Sequence, residues 1–429
     1  MAPTLKSDKN LLERILDRDN LNTAFRKVKK NGGAPGIDNM RVEELYGYLK
    51  GNGVALRKLL LAGNYKPNPV KRVEIPKSNG GKRALGIPTV IDRVIQQAIH
   101  QVLTWIFEEK FSDNSYGFRP GRSAQQAVLK AQDYQNAGNR IVVDIDLEKF
   151  FDQVNHDKLV YLLSKEISDK RVLKLIRLYL KAGVMDNGLV SPSSEGTPQG
   201  GPLSPLLSNV MLHELDTELE RRGHKFCRYA DDCNIFVGSE RAGQRVMQSI
   251  TKFIEDKLYL KVNGLKSAVA QSDTRKFLGF SFYLKDGETR IIVHPKSLEQ
   301  IRNKLKELTR RSRSWNNAHR SRRINEAVTG WVNYFKIADM KGTCSKLDAW
   351  MRRRFRMCIW KQWKRVRTRY RKLIILGISH HKAYVFANTR KGCWRISKSP
   401  ILGVTLTNNH LKNEYGLKGF LTVYKAYTS

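Results

Sequence analysis

Long apolar runs are missing from this chain of 429 residues. None approaches the roughly 20 residues that a helix needs to cross a bilayer, so a helical membrane span is excluded. Cysteine is scarce: Cys227, Cys233, Cys344, Cys358 and Cys393, with no Cys-x-x-Cys pair among them. That spacing suits neither a disulfide framework nor a zinc site, and it leads us to expect reduced thiols in a cytoplasm. The opening MAPTLKSDKNLLERILDRDN has no hydrophobic signal core and is rich in acids, so no secretory or transit peptide is expected there. Acidic residues thin out along the chain, with 35 in residues 1–300, 4 in 301–372 and 1 in the last 57. Internal repeats and low-complexity tracts are also missing.

What is present is a folding chain with a large positive charge. Apolar residues make up 41%, enough for a substantial core. The net charge is +38, and residues 301–372 carry +19 of it, from 23 basic and 4 acidic side chains. A field of that strength destabilises the chain that carries it unless a polyanion neutralises it, and nucleic acid is the first candidate. A solvated surface or an anionic membrane face would also fit charge alone. The basic region is interleaved with Trp315, Trp331, Tyr334, Phe335, Trp350, Phe355, Trp360 and Trp363, which favours nucleic acid. Those rings suit the core of a helical bundle as well as base stacking; Trp360 and Trp363 share a helical face.

Periodicity predicts an α+β architecture. Residues 1–60 read as helical around a loop at KNGGAPGID (30–38), and YKPNPVKRVEIPKSNGGKRALGIP reads as a β-hairpin. DRVIQQAIHQVLTWIFEEKF places apolar residues on one helical face, with Asp92 as a candidate N-cap. RIVVDIDL (140–147) reads as a buried strand and 157–182 as helical. SPLLSNVMLHELDTELERRG (204–223) reads as a helix with Gly223 at its end. A hairpin at 225–238, a helix at 240–260 and further strands to about 296 follow. This order predicts one sheet with helices packed on one face. Beyond Lys296 a basic helical region extends to about Lys372, and the last ~55 residues read as short β-like runs with turns.

Two places carry acids where strands are expected. In KFCRYADDCNIFVG, Asp231 and Asp232 interrupt two short apolar strands; in VVDIDLEKFFD, Asp144 and Asp146 point to one face because they are two apart. Adjacent carboxylates repel each other unless a cation lies between them. Convergent acids of this kind suit Mg²⁺, a hard cation that prefers oxygen ligands, and two such ions can activate a 3′-hydroxyl and stabilise a pyrophosphate leaving group.

YADD (229–232), DLEKFFD (146–152) and EGTPQGGPLSPLLSNVMLHELD (195–216) together resemble a reverse transcriptase, and more narrowly the group II intron-encoded reverse transcriptases, or maturases. RALGIPTVIDRVIQQAI, SYGFRPGRSAQQAV, VNGLKSAV and FLGFSF match successive blocks of that family. GWVNYFKI and RRRFRMCIWKQWK are similar to its thumb or maturase region. The resemblance implies a right-hand polymerase: an N-terminal extension and fingers over 1–120, a palm with an antiparallel sheet packed on helices over 121–296, and a helical thumb over 297–375. A DNA-binding tail would follow over 376–429. It implies that Asp146, Asp231 and Asp232, with the carbonyl of Leu147, hold two Mg²⁺ ions (Mn²⁺ substituting), leaving Asp144 a supporting acid. Phe151 would be the steric gate against a 2′-hydroxyl, with Phe150 its rival, and Gln199 would line the nucleotide pocket beside Gly200 and Gly201. Lys77 and Arg83 would clamp the dNTP phosphates, and Lys266 would be a proton donor to pyrophosphate.

Nucleic-acid contacts are expected from Gly33 and Ala34, in a loop closing over the template, and from Arg119, Arg352, Arg353, Arg356, Lys361 and Lys364. Implied partners are an RNA template with a DNA or RNA primer, the chain's own group II intron RNA and target DNA, in a bacterial or archaeal cytoplasm and with no membrane role. The C-terminus departs from many family members: one cysteine and His380–His381 do not make their Cys-paired endonuclease domain. A domesticated relative in DNA repair or phage defence, and a splicing cofactor with a vestigial polymerase, are the rival readings; intact Asp146, Asp231 and Asp232 argue against the second.

Overall fold

The computed structural model describes residues 10–76, 81–186, 189–191, 195–196 and 200–428. The chain divides into two compact units, residues 1–271 and 272–429. Thus the strands after Gln271 belong with the basic helices and not with the sheet before them. No helix among the described residues is long and apolar enough to cross a membrane.

The first unit opens with helices α1 (Leu11–Ile15), α2 (Arg18–Asn31) and α3 (Leu45–Leu61), then hairpin β1 (Val70–Pro76) and β2 (Lys82–Ile87), then helix α4 (Val90–Glu108). Helix α4 is capped by Thr89, whose hydroxyl accepts from the Asp92 N–H. Asp92 is therefore not the N-cap. Its buried carboxylate accepts from the Tyr65 and Thr89 hydroxyls, both at 2.7 Å, and burial holds its pKa above the usual carboxylate range. Helix α5 (Ala124–Asn136), strand β3 (Ile141–Ile145) and helices α6 (Phe150–Gln153), α7 (His156–Ser164) and α8 (Lys170–Lys181) follow. Strands β4 (Val184–Asp186) and β5 (Leu189–Ser191), helix α9 (Ser204–Arg221), hairpin β6 (Lys225–Tyr229) and β7 (Asp232–Val237), helix α10 (Glu240–Leu258) and strand β8 (Ala268–Gln271) complete the unit.

The strands do not form one sheet. One four-stranded sheet runs β6-β7-β3-β8, antiparallel throughout; a second runs β2-β1-β4-β5, with β1 and β4 parallel. Helices cover both faces of the first. Alternation sends Ile141 and Val143 to one side, where α10 lies so close that a Cβ on Gly243 would meet Val269 Cγ1 at 2.5 Å. Phe236 points the other way and packs against Tyr134 of α5, ring centroids 5.7 Å apart. Strand β3 therefore reads as a nearly unbroken apolar run because it is central and covered on both sides.

The second unit starts with its own two-stranded sheet, β9 (Phe280–Lys285) and β10 (Glu288–Val293), and is otherwise helical. Helices α11 (Pro295–Leu308), α12 (Asn317–Phe335), α13 (Lys341–Gln362) and α14 (Val366–Ile375) match the expected helical region. The last stretch does not match its β-like reading. It forms α15 (His380–Ala387), α16 (Cys393–Ile396), α17 (Pro400–Thr405), α18 (Asn408–Tyr415) and α19 (Phe420–Thr428). Its short apolar runs contain β-branched residues, but caps decide the outcome: the Thr407 hydroxyl accepts from the His410 N–H, and Gly416 ends α18 at φ +65°.

Helix α19 is tied into the unit. The Asp348 carboxylate of α13 accepts from the Phe420 and Leu421 N–H groups at 2.7 and 3.2 Å, capping α19 from outside, and Phe420 is fully buried against Trp331. Substituting Phe420→Ala should lower the stability of residues 272–429 by about 3–5 kcal/mol, the cost of deleting a buried aromatic ring. A urea denaturation midpoint unchanged from the parent chain would mean that the C-terminal helices are an independent tail.

Candidate active site

Hairpin β6–β7 turns through Ala230 and Asp231, with Tyr229 paired to Asp232. Ala230 adopts φ +56°, a left-handed conformation that costs a non-glycine residue energy and persists only when its surroundings enforce it. Two features enforce it. Gly117 presses on the turn, where a Cβ would collide with the Ala230 nitrogen. Beneath it lies Arg228, fully buried, which donates to both Asp216 carboxylate oxygens at 2.7 and 2.6 Å, to Asn209 Oδ1 at 3.0 Å and to the Ala230 carbonyl at 3.0 Å. Burial works against the Arg228 charge, but Asp216, with a contribution from Asp231, holds its pKa above the ordinary value. Asn209 also donates to the Gly117 carbonyl, so turn, support and helix α9 form one hydrogen-bonded block.

Strand register sets the two acid-bearing strands side by side. Strand β3 pairs antiparallel with β7, Asp144 opposite Asn234 and Ile145 opposite Cys233. The pairing ends there: Asp146 is the next residue after β3, and Asp232 precedes Cys233 at the start of β7, with Asp231 in the turn. Asp146 and Asp231 are half-buried and Asp232 is exposed. Asp146 is anchored by its backbone: its N–H donates to Ser267 Oγ at 3.0 Å, and its carbonyl accepts from the Asn263 N–H at 2.8 Å. Leu147 bridges to Val262 between that bond and Glu148 N–H to Lys261 carbonyl. It is thus the non-bonded member of that ladder.

The donors at these strand ends are carboxylates and a backbone carbonyl, the all-oxygen chemistry that suits a hard divalent cation. They are not drawn into a closed cluster: among the described residues no three His, Cys, Asp or Glu groups are arranged to hold a metal ion. Instead Lys266 Nζ lies 3.1 and 3.3 Å from the two Asp146 oxygens and supplies the local positive charge. The set fits a divalent cation in kind.

Around this centre, Phe150 is buried while Phe151 keeps partial exposure, the rings 5.2 Å apart and edge-on. Gly196, Gly200 and Gly201 do permit close backbone approach, but to this chain's own atoms: Cβ atoms there would collide with the Phe151 carbonyl, the Gly86 carbonyl and Gln96. Lys77 and Gln199 lie outside the described residues. On β2, Lys82 pairs with Glu74 at 2.7 Å, while exposed Arg83 has no side-chain partner among the described residues. Gly33 and Ala34 line a cavity of about 390 Å³ with Gly86 and Gly200. Their loop is fastened by Arg93, which donates to the Gly32, Ala34 and Pro88 carbonyls and which sequence reasoning missed.

Several expected nucleic-acid contacts are spent internally. Arg119 is buried, paired to Glu108 at 2.9 Å and bonded to the Ser112 and Ser115 carbonyls, so it shapes the segment behind the turn and presents no charge outward. In the second unit, Arg352 pairs with Asp348 at 3.1 Å. Arg353 stacks on Trp394 with its guanidinium 3.8 Å from the ring centre, and Arg356 donates to the Leu406 carbonyl at 2.8 Å. Arg353 and Arg356 thus hold the C-terminal helices, while Arg352 pairs within α13. Lys361 and Lys364 remain exposed, with no side-chain partner among the described residues. Trp360 and Trp363 are core residues. Arg228, Asp216, Asn209 and Gly117 were the positioning residues that sequence reasoning missed; the one available signal was an arginine immediately before the turn tetrad.

Comparison with known proteins agrees with this geometry. A reverse transcriptase (RNA-dependent DNA polymerase) family model matches residues 75–282, and a group II intron, maturase-specific domain model matches 298–374. Protein YkfC of Escherichia coli is 34% identical over 334 residues, covering 68% of this chain and 87% of that protein. Group II intron-encoded protein LtrA of Lactococcus lactis is 32% identical over 293 residues, covering 53% of this chain and 49% of LtrA. A 91 kDa protein in the cob intron of Schizosaccharomyces pombe is 35% identical over 225 residues, covering 52% of this chain and 28% of that protein. The chain thus spans most of YkfC and half or less of the other two.

The buried charge pair gives a sharp test. Arg228→Met alone leaves Asp216 buried without a partner and should cost about 3–5 kcal/mol; Arg228→Met with Asp216→Leu should recover most of that. Urea denaturation of the three chains checks it, and equal losses in single and double variants would mean that the pair's charge is not what matters.

Proposed function

The chain belongs to the group II intron-encoded reverse transcriptases, RNA-directed DNA polymerases with a maturase region, and from that premise we propose that it extends a DNA or RNA primer on an RNA template at the ends of β3 and β7. In the reaction the primer 3′-oxygen attacks the α-phosphorus of a dNTP, the phosphodiester bond forms, and pyrophosphate leaves as the α–β bond breaks. Members of this family use divalent metal ions. Here Asp146, Asp231, Asp232 and the Leu147 carbonyl would hold two Mg²⁺ ions, with Mn²⁺ able to substitute. Bound ions of this kind make a hydroxyl a better nucleophile and offset charge on departing phosphates.

The observation that supports the reading is the pairing of β3 with β7, whose last pair, Ile145 with Cys233, is flanked by Asp146 on one strand and Asp232 on the other. The remaining roles belong to the chain's own side chains. Lys266, within 3.1 Å of Asp146, donates a proton to the departing pyrophosphate. Arg83, on the fingers hairpin with Lys77, holds the triphosphate, and Gln199 lines the nucleotide pocket. Phe151 presses its partly exposed ring against the sugar and excludes a 2′-hydroxyl, while buried Phe150 backs it. Residues 298–374, matched by the maturase-specific model, bind the chain's own intron RNA for splicing and, with the C-terminal helices, the target DNA. Five free cysteines suit a reducing bacterial or archaeal cytoplasm.

Primer extension on an RNA template with Mg²⁺ and dNTPs tests the site. Asp231→Ala should cut synthesis by roughly a thousandfold or more, the scale on which loss of a catalytic group registers, while splicing assistance persists. Synthesis that survives the substitution would remove the assignment. Phe151→Ala should raise ribonucleotide incorporation relative to deoxyribonucleotide; an unchanged ratio would move the gate to another residue.

A further inference from the structure

In the second unit a cavity of about 760 Å³ opens where the end of α11 and its following turn meet α13 and α16. Four cations line it: Arg310, Arg311, Arg354 and Lys361. Among the described residues no carboxylate does. Arg354 is fixed in place, donating to Thr309 Oγ1 at 2.6 Å and to the Lys306 carbonyl at 3.3 Å, and Arg311 reaches Cys393 Sγ at 3.5 Å. Arg310 and Lys361 are exposed and, among the described residues, have no side-chain hydrogen bond or ion pair. Beside this charge is an indole: Trp394 is 37% exposed, lies 5.8 Å from the Arg354 guanidinium and is stiffened by the Arg353 guanidinium stacked 3.8 Å from its ring centre.

Four uncompensated cations around one concavity repel each other, and an anion relieves that repulsion more than bulk solvent does. Ligand sites of roughly 300–1,000 Å³ take small organic molecules, so this one has room for a base and sugar beside a phosphate; a bare oxyanion would leave it mostly empty. An exposed indole next to clustered arginines is the arrangement on which unpaired bases stack, whereas a paired base has both faces covered already.

We propose that this cavity binds one unpaired nucleotide of an RNA or DNA strand, with its phosphate among Arg310, Arg311, Arg354 and Lys361 and its base against Trp394. The inference rests on the nucleic-acid-binding reading above and specifies what the second unit recognises: a base out of its helix, in preference to a continuous duplex.

The test is fluorescence anisotropy with the full chain, using short labelled oligonucleotides as unpaired RNA, unpaired DNA and fully paired duplex, each across a range of salt. Trp394→Ala should weaken binding of an unpaired strand by about five- to tenfold or more and leave duplex binding nearly unchanged, with Trp394→Phe restoring most of the loss. Arg310→Ala with Lys361→Ala, two exposed positions, should flatten the logarithmic salt dependence by up to about 0.7, the contribution of the one single-strand phosphate that is no longer neutralised. Whichever sugar shows the larger loss identifies the strand, and either supports the site. Equal losses for duplex and unpaired strand, or no loss in any variant, would overturn it. So would displacement by poly-aspartate as effective as by oligonucleotide, which would point to an acidic protein partner. Primer extension by the unmodified chain is read separately: its absence would remove the polymerase reading and leave the anisotropy comparison standing.

Discussion

A guanidinium with no access to water supports the β6–β7 turn. Arg228 could not be buried alone, because the desolvation of a lone charge would exceed anything its packing returns. Asp216 matches it oxygen for nitrogen, Asn209 takes a further N–H, and the last bond goes to the Ala230 carbonyl, in the one residue of the turn that is held left-handed. The same positive charge lies under Asp231, which contributes to the field that keeps Arg228 protonated. A buried cation thus contributes to the field at Asp231, and a second, Lys266, lies against Asp146.

This support has consequences for the segments around it. Residues 114–117 run beside β6 through the Tyr116 N–H to Arg228 carbonyl and Arg228 N–H to Asn114 carbonyl bonds, and Arg119 fastens that segment from behind. Gly117 is the residue that can touch the turn without a Cβ in the way. The block SYGFRPGR is therefore architectural at the turn. Its Arg119 is spent on Glu108 and backbone carbonyls, and its Gly117 sets how closely two backbones meet.

Charge in the second unit divides in a similar way. Arg353 and Arg356 point into contacts with Trp394 and Leu406 and fasten the C-terminal helices to α13, while Arg352 pairs with Asp348 within α13. Exposed Arg310, Lys361 and Lys364 keep their charge available. An arginine can do either because its guanidinium is planar, stacks on aromatic rings and satisfies several carbonyls at once. A net charge of +19 over residues 301–372 consequently overstates the part that faces a polyanion.

Most elements of both units were legible from periodicity, since apolar spacing of two or of three to four reflects which face a strand or helix buries. The β6–β7 hairpin, the buried strand at 141–145 and the basic helices to Ile375 lie where that spacing put them. Spacing of two also set Asp144 and Asp146 on one face before any partner strand was known. Tertiary contacts decided the rest. Whether the strands make one sheet or several depends on pairings between distant segments, which local pattern does not encode. The helices after Gly377 were hidden because their short apolar runs suit strand or helix equally, and capping and packing on α13 made the choice. Arg119 and Arg228 look alike in sequence to any surface arginine; only the fold put carboxylates and carbonyls around them. The acids were readable as residues. Which strand lies beside the one that leads to Asp146 was decided by the register of β3 on β7, because a strand's neighbours across a sheet come from wherever the chain returns.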